Sequence, residues 1–191
     1  MKLIPQKKFF NYFEYLMKKS EDFILFKDLF NIRAGNYLYS NAYQEGITPY
    51  ITASNKNNGI NSRIDLKPEF SKNSITTEKI NCTVFYQAEN YCASSDINIF
   101  NPKFKFNYKI GLFIATVINF NENFRWNYGR QCRVGDSNKI KIKLPIKGNE
   151  LGPVINIDKL YHREGYIPDF EFMENYIDSL PYGDLLAEIL W

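Results

Sequence analysis

From Phe26 to about Pro145 the chain is a series of short runs of β-branched and aromatic residues cut apart by Gly, Asn, Pro and Ser. That punctuation restricts it to an architecture of many short strands. Strands are expected over residues 28–34, 50–52, 74–77, 82–87, 97–100 and 139–144. One block breaks the pattern. Ile110, Leu112, Phe113, Ala115, Thr116, Ile118 and Asn119 form a stretch too long and too continuously apolar for an edge strand, and a helix is expected there.

The two ends differ in character from this middle. Phe9, Phe10, Phe13, Leu16 and Met17 recur at helical spacing among lysines and acids, so residues 1–22 are expected to form an amphipathic helix. Residues 23–165 form the β-rich domain and 166–191 a C-terminal helical segment. In that segment Phe172, Met173, Tyr176, Ile177 and Leu180 return to helical period, with Asp169 placed to cap the start. Pro181 and Gly183 break the helix, and residues 184–190 begin another. The fold class is α+β: a mixed, β-rich domain with a few helices, followed by a helical segment.

At 191 residues the chain holds one large domain, or one domain with a helical appendage. A net charge of +3 and a pI near 8.6 fall short of the footprint of a non-specific nucleic-acid binder. Three cysteines, Cys82, Cys92 and Cys132, lack C-x-x-C spacing, and His162 is the single histidine. A zinc site or a disulfide framework is therefore not expected, and neither is a metal or cofactor. The first residues lack a signal peptide's apolar core, and no window reaches the ~18 apolar residues of a membrane span. No membrane association is expected, and an intracellular, reducing setting, the cytoplasm, follows.

Catalytic motifs are missing. There is no glycine-rich phosphate loop, no dinucleotide fingerprint and no N-P-P-Y-like motif for holding a flipped adenine. The only acid-x-Lys triplet is Asp65-Leu66-Lys67, without an obvious upstream acidic partner for a nuclease metal site. A catalytic triad would depend wholly on His162, whose neighbours Tyr161 and Arg163 give no sign of one. No catalytic residue is assigned.

Three polar segments between strands remain. In the first, Thr52, Ser54, Lys56, Asn57 and Asn58 follow a short strand; amides and hydroxyls suit base edges, and they equally suit an ordinary turn bonding its own backbone. In the second, Tyr86 and Gln87 either face a groove or belong to the core. In the third, Arg125, Tyr128 and Arg130 stand beside Gly129, and arginine is the usual reader of guanine as well as a phosphate ligand.

Taken in order, these segments resemble the target-recognition domain of Type I restriction-modification specificity subunits and of related Type II recognition subunits. The resemblance rests on Phe26-x-Asp28-Leu29-Phe30-x-Ile32 with Gly35, and on Pro49-Tyr50-Ile51-Thr52-Ala53-Ser54 with Asn57-Asn58-Gly59-Ile60. Further on it includes Val84-Phe85-Tyr86-Gln87, Tyr91 with Ala93-Ser94 and Asp96, Phe124-x-x-x-Tyr128-Gly129, and Ile142-x-Leu144-Pro145. Pro168-Asp169-Phe170-x-Phe172-Met173-x-x-Tyr176-Ile177 resembles the opening of the helix that follows such a domain.

The resemblance implies a non-catalytic chain that recognises double-stranded DNA and positions a partner adenine methyltransferase, with a nuclease or translocase subunit in the same assembly. Full-length Type I subunits carry two such units, whereas one is present here. That departure leaves open a half-size subunit that forms a homodimer, a single-domain recognition subunit, or a fragment. Phe172, Met173, Tyr176 and Ile177 are the expected partner-binding face. Two rival readings stand beside this one: a small nuclease using Asp65 and Lys67, and a non-catalytic interaction module that docks a methyltransferase.

Overall fold

Ser74–Glu78 is buried at every position, a pattern that requires cover on both faces of a strand. The computed structural model describes residues 24–149, 152–181 and 183–186; the expected helix over 1–22, and most of that over 184–190, lie outside them. In chain order the elements are β1 (Ile24–Leu25), α1 (Phe26–Leu29), β2 (Phe30–Ala34), β3 (Glu45–Ile51), β4 (Ile60–Ile64), β5 (Ser74–Glu78), β6 (Val84–Gln87), β7 (Cys92–Ala93), β8 (Ile97–Pro102), α2 (Tyr108–Glu122), α3 (Val134–Ser137), β9 (Lys141–Ile142), β10 (Gly148–Asn149), β11 (Gly152–Pro153) and α4 (Phe170–Ser179).

The middle layer is an antiparallel sheet in the order β2-β8-β5-β6. On one face Ile75, Val84 and Phe100 pack with Ile110, Ile114 and Ile118, the apolar stripe of α2. On the other, Ile97 and Ile99 pack with Ile51, Phe70, Tyr91 and Ala93 beneath a second sheet, β4-β3-β7. Period-two alternation along β8 thus serves two cores at once. Gly111 lets the helix approach closely, since a Cβ there would lie 2.4 Å from the Tyr86 ring.

Strand registers decide which ends coincide. Ala34 faces Asn98, Glu78 faces Ile97, Thr77 faces Val84, and Ile51 faces Ala93 just ahead of the turn into β8. The exits of β2, β3, β5 and β7 and the entries of β6 and β8 therefore share one end of the sheets. The last turns of α2 reach the same end, where Asn119 accepts from Val84 N at 2.7 Å and donates to Val84 O at 2.8 Å.

Several expected boundaries move. The first residues of 28–34 wind into α1, where Leu29 is fully buried and its carbonyl accepts from Lys103 N. Residues 79–83 are a turn, not the start of β6, because the Glu78 carboxylate accepts from Ile80 N, Asn81 N and Thr83 N and winds the chain around itself. The strand expected over 139–144 shrinks to Lys141–Ile142, whose only partner strand among the described residues is the two-residue β1. β4 was not expected; it pairs with β3 across a register shift and leaves Asn61 and Arg63 exposed.

The helix expected over 110–119 is present as α2, capped by Asn107, whose side chain accepts from Ile110 N. Asp169 caps α4 by accepting from Phe172 N. The expected partner face does not survive. Phe172, Met173 and Ile177 are buried in the core shared with α2, and Phe113 makes edge contacts with the rings of Phe172 and Tyr176. The apolar stripe read as seeking another protein is satisfied within the chain.

Candidate nucleic-acid interface

The loop that leaves β3 is built by its own polar groups. Ser54 Oγ accepts from Lys56 N and donates to Lys56 O, and Thr52 N donates to Gly59 O. Asn57, Asn58 and Gly59 then take left-handed backbone conformations, with φ of 48°, 53° and 78°. Asn and Gly are the residue types that tolerate this. Asn57 Nδ2 donates to Ile60 O; Asn58 Nδ2 reaches across to Tyr86 O at 3.0 Å and Gln87 Oε1 at 3.3 Å. Asn58 therefore pins the loop to β6, and Lys56 is left exposed at its tip.

Tyr86 and Gln87 do not face a groove. Tyr86 lies under Gly111 and against Phe106, with its hydroxyl donating to Asn73, and this burial pushes its phenol pKa up. Gln87 Nε2 donates to Thr76 Oγ1 at 2.8 Å and to Asn58 O at 3.2 Å. Both side chains are 3% exposed, so they hold the framework and do not reach solvent.

The third segment hangs on a buried carboxylate. Glu122, at the end of α2, accepts from Arg125 Nη1 at 2.9 Å and from the Trp126 indole N–H at 3.3 Å. The Arg130 guanidinium lies over the Trp126 ring, 5.2 Å from its centroid, a cation–π contact. Asn127 Oδ1 accepts from Gly129 N and Arg130 N and closes the turn. Trp126, Tyr128, Arg130, Gln131, Arg133 and Asp136 line a shallow hollow of about 500 Å³, with Tyr128, Arg130 and Arg133 exposed.

Hydrogen bonds join the first and third segments. Cys132 N donates to Lys79 O at 2.7 Å, Lys79 donates from N to Asp96 O and from Nζ to Ser95 O, and Ser94 N donates to Ile51 O, one residue before Thr52. Asn36 N adds a bond to Ala93 O, so the residues after β2 are tied in too. One end of the sheets thereby carries residues 35–39, 52–58, 79–83, 94–96 and 120–133. Beneath it Cys82 and Cys132 are fully buried; the hydrogen bond that the Cys82 thiol donates to Cys132, together with burial, pushes the Cys82 thiol well above its ordinary range.

Of the expected site residues, Thr52, Ser54, Lys56, Asn57, Asn58, Arg125, Tyr128 and Arg130 belong to segments that leave this end; Tyr86 and Gln87 are buried at the far end of β6, where Gln87 pairs with Ser74 and Asn58 reaches them. Phe124, part of the family pattern but not among the expected site residues, is carried exposed at the shared end, and so are Tyr37, Tyr39 and Phe120, which were passed over in sequence. Nothing in their spacing marks them, because exposure is set by which strand ends coincide. The residues that prompted rival chemistry have structural partners. Asp65 accepts from Gln44 N, His162 stacks on Tyr166 and its Nδ1 accepts from Glu164 N.

A two-sheet framework with its loops cross-braced at one end defines a loop-presenting recognition scaffold. The chain belongs to the family of Type I restriction modification DNA specificity domains, whose profile matches residues 4–160. It is 28% identical over 162 residues to the Type II restriction enzyme specificity subunit S.BcgI of Heyndrickxia coagulans, covering 82% of this chain and 42% of that protein. In fold it is similar to the Type I restriction-modification S subunit from M. genitalium, with a TM-score of 0.54, 16% identity, and coverage of 96% of this chain and 48% of that one. The HsdS subunit from Thermoanaerobacter tengcongensis is similar as well, with a TM-score of 0.55, 11% identity, and coverage of 88% and 38%. The chain spans less than half the length of each of these proteins.

Proposed function

We propose that this chain recognises a DNA sequence within a restriction-modification assembly, using the braced end of its two sheets, and performs no chemistry itself. The observation that carries the reading is the set of hydrogen bonds from Cys132 to Lys79, from Lys79 to Ser95 and Asp96, and from Ser94 to Ile51, which ties two polar loops together through the turn at residues 94–96. Base readout needs side chains held in fixed register, and phosphate contacts supply that register. Lys56, Arg125, Arg130 and Arg133 are exposed cations of this surface, Arg125 held by Glu122, and Thr52, Asn57, Tyr128 and Gln131 are its polar neighbours.

The family's description as a DNA specificity domain supports the same reading. Methyl transfer and cleavage then belong to partner subunits, an adenine methyltransferase and a nuclease or translocase, which this chain positions. Among the described residues no helix is long and apolar enough to cross a membrane, and no cluster of three His, Cys, Asp or Glu stands ready to hold a metal ion.

The test is repeated selection of duplexes from a pool with a randomised central segment, using the purified chain. Convergence on one sequence motif is expected, without cleavage of the bound duplexes in magnesium. A bound pool that stays random contradicts sequence recognition. Cleavage abolished by Asp65→Ala overturns the assignment of chemistry to partners.

A further inference from the structure

Five aromatic side chains are exposed among the described residues: Tyr37 at 68%, Tyr39 at 67%, Phe120 at 84%, Phe124 at 81% and Tyr128 at 80%. All five belong to segments that leave the braced end of the sheets. Tyr37 and Tyr39 follow the Asn36–Ser94 bridge, and Phe120 follows Asn119, whose amide brackets Val84. The exposed large aliphatic residues lie elsewhere: Ile47 near the start of β3, Ile155, Ile157 and Leu160 in the loop after β11, and Leu180 and Leu185 after α4. An apolar protein contact would draw on both kinds. Segregation of aromatic rings alone, beside Arg130 and Arg133, fits a partner that is flat, π-faced and anionic.

We infer that Phe120 and Phe124 stack on nucleobases and unstack one base step when the chain engages its site; the inference rests on the DNA-recognition reading above. Phe120 lies in the last turn of α2 and Phe124 in the single 3-10 turn, Asn123–Arg125, that follows it, so both rings are carried at the end of the helix. Glu122, between them in sequence, is buried and bonded to Arg125 and Trp126, so the backbone carrying the rings is fixed before DNA arrives. A pre-ordered apolar wedge of this kind loses little freedom on insertion between bases, and base–aromatic stacking is sequence-tolerant, so it adds affinity without dictating the motif.

The experiment compares the wild-type chain with a Phe120→Ala/Phe124→Ala variant on duplexes carrying the motif selected by the wild type. 2-Aminopurine replaces each base of the motif in turn. Both rings are exposed, so the variant keeps its thermal midpoint, and Ile157→Ala, far from this end, serves as the control for removing an exposed apolar group. The wild type is expected to raise 2-aminopurine fluorescence at one or two adjacent positions. The double variant loses that rise and binds roughly ten-fold or more weakly, the scale of one lost base stack, while selecting the same motif.

Unchanged affinity and unchanged fluorescence in the double variant overturn the inference. So does weakened binding without any fluorescence rise in the wild type, which reduces the rings to groove contacts. A wild-type chain that selects no motif fails earlier, on the function reading itself.

Discussion

The carboxylate of Glu122 and the indole N–H of Trp126, four residues apart and 3.3 Å from each other, fix the turn that carries Arg130. Glu122 is nearly inaccessible, whereas Arg125, its other partner, is half exposed. Removing the carboxylate strands the indole donor and releases the arginine. Glu122→Ala is expected to cost about 1 to 3 kcal/mol, read as a lower urea midpoint. Glu122→Gln, which still accepts from the indole, should cost less. Equal losses for the two would mean that the Trp126 contact contributes nothing.

Gly111→Ala sets two effects against each other. Alanine improves helix propensity by roughly 1 kcal/mol, but its Cβ would sit 2.4 Å from the buried Tyr86 ring. Overpacking of that kind costs typically ~1 to 3 kcal/mol, so a net loss of stability is expected. A Gly111→Ala/Tyr86→Leu double variant should recover part of it. A stabilised single variant would show that α2 stands further from β6 than described.

Met173 is fully buried between α4 and the core. Met173→Ala should cost about 2 to 5 kcal/mol in the isolated chain. A near-neutral effect there, with loss only of binding to a methyltransferase, would restore α4 as a docking face.

These tests mark where the sequence was sufficient and where it was not. α2 was legible because an unbroken apolar block has one stable solution, and α4 because Asp169 stands one residue ahead of a 3.6-period stripe. What the stripe packs against was not legible, since periodicity gives a face but not its partner; Phe113 on α2 occupies the place assigned to another protein. Gln87 misled for a related reason. A polar side chain in a buried strand looks like a surface group until its bonds to Thr76 and Asn58 are seen. Asn58 fell to its alternative reading, the turn, because its left-handed backbone and its amide bonds serve the loop itself. The polar loops were found, but their convergence depended on registers set by residues such as Ile97 and Ala93, which carry no polar signal at all.

Arg130 separates base reading from phosphate contact. If its guanidinium reads a guanine, Arg130→Ala should cost about 1 to 3 kcal/mol at that base pair and broaden the selected motif at one position. A uniform loss on all duplexes, with a shallower dependence on salt, would assign it to phosphate.

The most direct measurement is hydrogen exchange of the backbone amides, free and saturated with the selected duplex. Slowed exchange is predicted in residues 35–39, 52–58, 79–83, 94–96 and 120–133, with α4 and the loop after β11 unchanged. Protection confined to α4 or to residues 152–166, with the braced end of the sheets exchanging as in the free chain, would contradict the placement of the DNA surface.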